Sequence, residues 1–585
     1  MIDLSRQKWV GTRMATLEQP SDSIYHTLIE ALLAAPPERA FITVWIDEDE
    51  IAAVTFGEFI REAKLCAAAL QAQGLSSGDT VIVIMPQNIP LMTMFVGAML
   101  LGAVPAILAY PSFKADPAKY KSGLAGVSRN LQARFVVVDK EFPEEFVGHL
   151  SASDGTPVVR SNQISSGIEA SEIEAYELPD IDSSPDRLAF IQHSAGTTGL
   201  QKGVALTHHA VLTQLDHLAK AISVSSEDRI YSWLPLYHDM GLIACFMLPM
   251  VYHVPIVMQS PLEWVMRPGT MLQLISSYRC TLAWVPNFVL QFLARRVRPE
   301  DRSGNDLSSL RALINCSEPV RAESIDEFVA IYEPYGLNPN AIQSSYAMAE
   351  NVFGVTQSDI NFTPRRIWVD GRELAQKSTA IPVAASAKQA TCFVSSGRCL
   401  EGNSIRIVSS DGGDLGDYEV GEIAIQSDSL FDGYYNRTDL TSAVCKDGWY
   451  WTGDLGFRVE GELYVTGRKK DLIIVAGKNI YPQDIEEIVS RHPAVHDGRV
   501  VAFGVYNEEL GTEDIMVVAE LENDNLTNDT APIERAIRDA IVSELDVTPR
   551  AVFLKPSPWI VKSTAGKPAR STTREKLLRE HFKSA

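Results

Sequence analysis

Short apolar runs rich in β-forming residues recur along this chain: Val81–Met85, Phe135–Val138, Leu188–Gln192, Pro255–Met258, Thr281–Val285 and Ala312–Asn315. Helical patterns lie between them, and alternation of this kind predicts α/β layers on largely parallel sheets. With 585 residues the chain should hold more than one domain, since single cores rarely grow past ~250–300 residues. After about Arg468 the texture changes. "DIEEIVSRH" puts Ile485, Ile488 and Val489 on one helical face; strand-like Val500–Val505 and Ile515–Leu521, a helix at Ile533–Leu545 and a strand at Ala551–Leu554 follow. The expected fold class is α/β: a large N-terminal domain of layered α/β subdomains over residues 1–467, plus a small α+β C-terminal domain over 468–585 ending in a basic tail.

The run Ile89–Pro111 carries no charge and is long enough to cross a bilayer. Pro90 and Pro105 interrupt it, however, and the pattern fits a buried helix (Leu91–Leu101) followed by a buried strand (Val104–Ala109). The uncharged run Gly241–Ser260 reads the same way, so no transmembrane segment is expected. The segment Ser151–Arg187 lacks periodicity and reads as connecting surface chain. The start, MIDLSRQKWV, lacks the apolar core of a secretory signal, and seven scattered cysteines without a Cys-x-x-Cys pair read as reduced thiols; the expected location is cytoplasmic. A net charge of −22 argues against nucleic acid as a partner, because a polyanion would be repelled.

"FIQHSAGTTGLQKGVALTHH" (Phe190–His209) opens from a strand-like lead-in into small residues and one lysine. Ser194, Gly196, Thr197, Thr198 and Gly199 offer hydroxyls and closely approachable N–H groups, and Lys202 adds a positive charge, which are the parts of a phosphate cradle. It is not a Walker A loop, since Lys202 precedes Gly203. By itself such a stretch is as readily a simple turn.

Downstream lie "SSYAMAE" (Ser344–Glu350), "WYWTGDLG" (Trp449–Gly456), "VTGRKKDLIIVAGKNIYPQDIEE" (Val465–Glu487) and "KSTAGKPAR" (Lys562–Arg570). With the opening loop, in this order and spacing, they resemble the adenylate-forming superfamily of acyl-CoA synthetases, adenylation domains and fatty acyl-AMP ligases. The resemblance implies ATP and Mg2+. It places the loop Ser194–Gly203 on the β- and γ-phosphates, Tyr346 with Ala347 and Met348 at adenine, and Ser317 and Glu318 near the nucleotide. It gives Glu350, with Thr197, to the metal, Asp454 to the ribose hydroxyls and Arg468 to their support. Lys567 would bridge substrate carboxylate and α-phosphate, and Lys470 would be the hinge about which a mobile C-terminal domain turns.

Within that superfamily, "YSWLPLYHDMGLI" (Tyr231–Ile243), "VPNF" (Val285–Phe288) and "SEPVR" (Ser317–Arg321) look like fatty acyl-AMP ligases. They imply His238 as a catalytic residue, with Asp239, Met240 and Asn287 beside the substrate. Glu350 and Ser395 are separated by 44 residues, and the extra segment, about 358–392, matches in place an insertion that in that family packs between the domains and hinders the rotation needed to use CoA. Gln201 replaces a proline usual before the loop lysine, and Cys316-Ser317 replaces a smaller pair. Trp284 stands where small residues are usual, so it either narrows the acyl tunnel toward shorter or unusual acids or packs in the sheet core. "SDSL" (Ser427–Leu430) is like a carrier-protein phosphopantetheine motif but sits in a strand-and-turn context, so a carrier protein must come in trans.

The expected activity is therefore ATP-dependent conversion of a carboxylic, fatty-type acid to acyl-AMP, followed by transfer to a separate acyl carrier protein. Seven Lys/Arg against two Glu from Val561 to Ala585 offer that acidic partner a docking face. The rivals are an acyl-CoA synthetase using free CoA and a catalytically silent nucleotide-binding protein, although Lys567, Glu350 and Asp454 are all present.

Overall fold

A computed structural model of the chain describes residues 25–47, 50–111, 117–151, 156–165, 176–181, 183–193, 202–475, 478–508, 511–522, 530–545, 547–562 and 567–582. The largest sheet has nine strands, in the order Arg398–Cys399, Gly354–Gln357, Ile342–Ala347, Ala312–Asn315, Leu282–Val285, Ile230–Ser232, Ile256–Gln259, Ala40–Trp45, Ile51–Thr55. The inner six run parallel and the outer ones antiparallel. Burial on both faces explains why Ile256–Gln259, Leu282–Val285 and Ala312–Asn315 read as nearly unbroken apolar runs. A second, all-parallel sheet orders Val104–Ile107, Thr80–Ile84, Phe135–Val138 and Val158–Arg160. Its last strand, three residues long, lies inside the segment expected to be connecting chain; so short a run leaves no periodicity to read.

The uncharged run at 89–111 folds as the helix Ile89–Leu100, buried everywhere but Pro90, and the strand Val104–Ile107. Among the described residues no helix is long and apolar enough to cross a membrane. The second uncharged run departs from a simple helix. Met240–Met247 is a π-helix, continued by an α-helix at Leu248–Tyr252 and the strand Ile256–Gln259. Gly241 permits its first turn, because a Cβ there would lie 2.3 Å from the Pro235 carbonyl oxygen.

Beyond Arg468, the strands Val495–Asn507, Thr512–Leu521 and Ala551–Pro556 form their own sheet. The helices Pro482–Ser490 and Ala531–Leu545 pack Ile485, Ile488, Val489, Ile537 and Ile541 on one side of it, and Leu577 from a last helix, Arg570–Phe582, packs on the other. The basic tail is thus largely a helix held by its apolar residues.

Candidate active site

The chemistry-bearing residues follow the carboxyl ends of the parallel strands, where open α/β sheets leave a crevice. After Ile230–Ser232 the chain turns through Leu234-Pro235 and delivers His238 and Asp239 to the first turn of the π-helix. The Asp239 Oδ1 accepts from the Met240 N–H at 2.8 Å and stands 2.6 Å from His238 Nδ1. Burial pushes this carboxyl up, but the His238 ring, the Met240 N–H and the Lys567 ammonium outweigh it and hold it below the usual range. After Ala312–Asn315, Ser317 takes a left-handed φ of 70°, and its carbonyl oxygen accepts a 2.6 Å hydrogen bond from Lys567 Nζ. Lys567 comes from 250 residues further along the chain, so two separately built cores meet at this contact.

Tyr346, at the end of Ile342–Ala347, donates through its hydroxyl to Asp454 Oδ2 at 2.7 Å. Asp454 pairs with Arg468 across the hairpin of Trp449–Val459 and Glu462–Arg468, its other oxygen 3.4 Å from Arg468 Nε. Burial raises the Asp454 carboxyl against the pull of Arg468 and Tyr346. Burial and the neighbouring Arg468 lower Lys470, which sits in the short turn Lys469–Asp471. Glu350 follows in a tight turn whose exit, Val352, takes a φ of 59°, a costly conformation for a β-branched residue.

Tyr434 was not legible from the sequence. It lies on Gly433–Tyr434, which pairs with the strand Gly203–Thr207, and its hydroxyl donates to Glu350 Oε1 at 2.7 Å. Lys202 Nζ rests 4.3 Å from the centre of its ring. One buried tyrosine thus joins the expected metal carboxylate to the expected phosphate lysine. Ser194, Gly196, Thr197, Thr198 and Gly199 lie outside the described residues.

Other expected site residues are engaged by the scaffold. Asn287 Oδ1 accepts from Asn315 Nδ2 at 2.9 Å and the Arg321 N–H at 3.1 Å, while its amide donates to Ser324. Glu318 accepts from the Phe288 N–H at 3.1 Å, at the start of the helix Phe288–Arg296. Ala347 and Met348 are half-buried beside Tyr346, and Met240 Sδ lies 4.0 Å from Ser317 Oγ. Trp284 is 1% exposed in the strand Leu282–Val285, and its indole N–H has no hydrogen-bond partner among the described residues. Ser429 of the carrier-like motif is fully buried.

The extra segment is built. Arg366–Asp370 and Ala390–Val394 form a two-stranded ribbon, and the Asp370 carboxylate caps the helix Gly371–Lys377 by accepting from the Arg372 and Glu373 N–H groups. Val369 and Leu374 share one apolar cluster with Leu455 and Phe457 on one side and Tyr481 from beyond Arg468 on the other. Buried aliphatic side chains of this kind contribute about 1.5–3 kcal/mol each. Asn479 Nδ2 also donates to Ser378 Oγ at 3.0 Å. A second tie runs from Arg321, 2.6 Å from Glu487 and 3.6 Å from Asp484 on the helix Pro482–Ser490.

Residues 30–435 match the model of the AMP-binding enzyme family. The chain is 31% identical, over 92% of both chains, to the medium-chain-fatty-acid–[acyl-carrier-protein] ligase JamA of Moorena producens. It is 28% identical to the long-chain-fatty-acid–AMP ligase FadD32 of Mycolicibacterium smegmatis, over 90% of this chain and 89% of that one. A solved chain from a study of fatty acyl-adenylate ligases of E. coli and L. pneumophila superposes with a TM-score of 0.85 at 27% identity, covering 96% of this chain and 98% of that one.

Proposed function

Because the chain belongs to the AMP-binding enzyme family, we propose that it joins a fatty-type carboxylic acid to AMP and then passes the acyl group to the phosphopantetheine thiol of a separate acyl carrier protein. In the first step a carboxylate oxygen attacks the α-phosphorus of ATP, and the bond to the departing pyrophosphate breaks. Two anions must meet, so catalysis requires cationic charge aimed at the developing transition state. The observation that carries the reading is Lys567, seated on the Ser317 carbonyl beside Asp239 and His238. Tyr346 and Asp454 take the adenosine end, and Lys202 takes the pyrophosphate end with the loop before it.

Magnesium fits the donor set. A hard cation seeks oxygen, which the Glu350 carboxylate offers. Glu350, with one oxygen held by Tyr434, suits an ion whose other ligands are phosphates. When bound, the ion neutralises phosphate charge. Acid-dependent hydroxamate formation with ATP tests the activation step; Lys567→Ala should lower it about 100-fold or more, as removal of one transition-state charge does, and unchanged activity would contradict the reading.

The acid is not fixed by similarity, since relatives named for medium-chain and long-chain acids stand at 31% and 28% identity. We infer that Trp284 shortens the acyl site: continuing the register Leu282↔Ile230 and Ala283↔Tyr231, it stands level with Ser232, which Cys245 of the π-helix faces. Trp284→Gly should shift the preferred chain length upward across C6 to C16 acids; an unchanged profile assigns Trp284 to the core alone.

For the carrier, exposed Arg574 is the clean probe. Lys576 donates to the Trp559 carbonyl at 2.8 Å and so belongs to the support of the Lys567 loop. Arg574→Glu should slow transfer to the carrier while leaving adenylate formation unchanged, and equal loss of both would overturn that docking face.

A further inference from the structure

Lys567 opens one limb of a finger whose described limbs are Trp559–Lys562 and Lys567–Ala569. The Ala569 N–H donates to the Val561 carbonyl at 2.7 Å, and Lys562 bridges Pro568, so the two limbs are closed at the neck. What fixes the neck to the body of the C-terminal unit is a carboxylate outside the active site. Glu520, near the end of the strand Thr512–Leu521, is fully buried. Its Oε1 accepts two successive backbone N–H groups, Trp559 at 2.6 Å and Ile560 at 2.5 Å, and its Oε2 faces Arg499 at 3.5 Å. Thr573 of the last helix, also fully buried, accepts from the Val561 N–H at 3.3 Å.

A buried carboxylate is costly unless its oxygens are satisfied, and a carboxylate that accepts from backbone N–H groups makes shorter, stronger bonds than a neutral acceptor. A hydrophobic residue of similar volume would leave the Trp559 and Ile560 N–H groups without this acceptor, so the site calls for an acceptor and the choice of a charged one calls for a reason. The finger supplies one: two adjacent N–H groups held to one oxygen fix both the position and the direction in which the chain leaves the sheet.

We propose that Glu520 is the positioning residue of the lysine finger, setting Lys567 at the height from which it reaches the Ser317 carbonyl, with Thr573 as the second jaw. This rests on the reading that Lys567 serves adenylate formation. A displacement of about 1 Å at a catalytic group costs on the order of 100-fold in rate, so releasing one jaw should reduce catalysis without altering substrate binding.

The test is a double-mutant cycle in the full-length protein, reading acid-dependent ATP–pyrophosphate exchange. Glu520→Ala should lower kcat by about 10- to 50-fold with KM for ATP and acid within about twofold. Glu520→Gln, which keeps the acceptor and loses the charge, and Thr573→Val should each lower it by about threefold. In a Lys567→Ala background none of the three should change the residual rate by more than about twofold, because the group they position is gone. A merely structural role would instead cost the same factor in both backgrounds, which would overturn the proposal, as would a fully active Glu520→Ala. Should Glu520→Ala fail to fold, Glu520→Gln and Thr573→Val decide the cycle. If Lys567→Ala itself exchanges at the parent rate, the reading of Lys567 falls and the clamp with it; an impaired Lys567→Ala with additive losses overturns the clamp alone.

Discussion

Ser317 holds a left-handed backbone at the point where Lys567 docks, in a position where a glycine would rest without strain. Ser317→Gly should therefore stabilise the protein or leave it unchanged, within about 1 kcal/mol, and retain adenylation because only the backbone carbonyl meets the lysine; thermal unfolding and ATP–pyrophosphate exchange check this. Tyr434→Phe should raise the Mg2+ concentration needed for half-maximal rate by about tenfold or more, since a hydrogen bond to a carboxylate contributes about 1.5–3 kcal/mol, while an unchanged requirement would place Tyr434 in the fold alone. These residues also mark the limit of reading a sequence. Tyr346, Asp454 and Lys567 stand in recognisable motifs. Tyr434 and Glu520 gain their meaning from partners 84 and 39 residues away, which no local pattern reveals. Asn287 stands in a motif, yet its carboxamide is occupied by Asn315, Arg321 and Ser324.

Among elements, three of the inner strands, Ile256–Gln259, Leu282–Val285 and Ala312–Asn315, were legible because burial on both faces makes them nearly continuously apolar, whereas Ile230–Ser232 is too short and Ile342–Ala347 too polar to stand out. The π-helix was not: Met240–Met247 is buried throughout, so its sequence carries no amphipathic period from which to read a turn. The helix Pro482–Ser490 was legible by its apolar face, but not its tie to Arg321. Burial pushes Asp484 up to about 6, with Arg321 opposing and Glu487 adding to the rise. Were that helix to leave Arg321, the carboxyl should return toward the ordinary ~3.9. The docked arrangement then holds the proton more tightly, so docking strengthens as pH falls from about 6 toward 4 and loses that contribution as pH rises through 6. Interdomain fluorescence transfer across that range should follow this trend in the parent and flatten in Asp484→Asn. Arg321→Ala should favour the undocked state at all pH values, by about 2 kcal/mol for a partly buried ion pair.

At the scale of the whole molecule, the ties between the two cores among the described residues include Lys567 on Ser317, Arg321 on Glu487, and the cluster of Val369, Leu374 and Tyr481. The third comes from the extra segment and holds Tyr481, beyond Lys470, against Val369 and Leu374. Release of that tie should admit CoA chemistry, so removing residues 366–391 is expected to yield CoA thioester where the intact chain yields little. The most direct measurement incubates the intact enzyme with ATP, Mg2+ and a panel of fatty acids, first with free CoA and then with a phosphopantetheine-loaded carrier protein, reading products by mass. Acyl-AMP with CoA, and acyl-carrier thioester with the carrier, is the expected result. Efficient acyl-CoA formation by the intact chain, or no acyl-AMP from any acid, would contradict it.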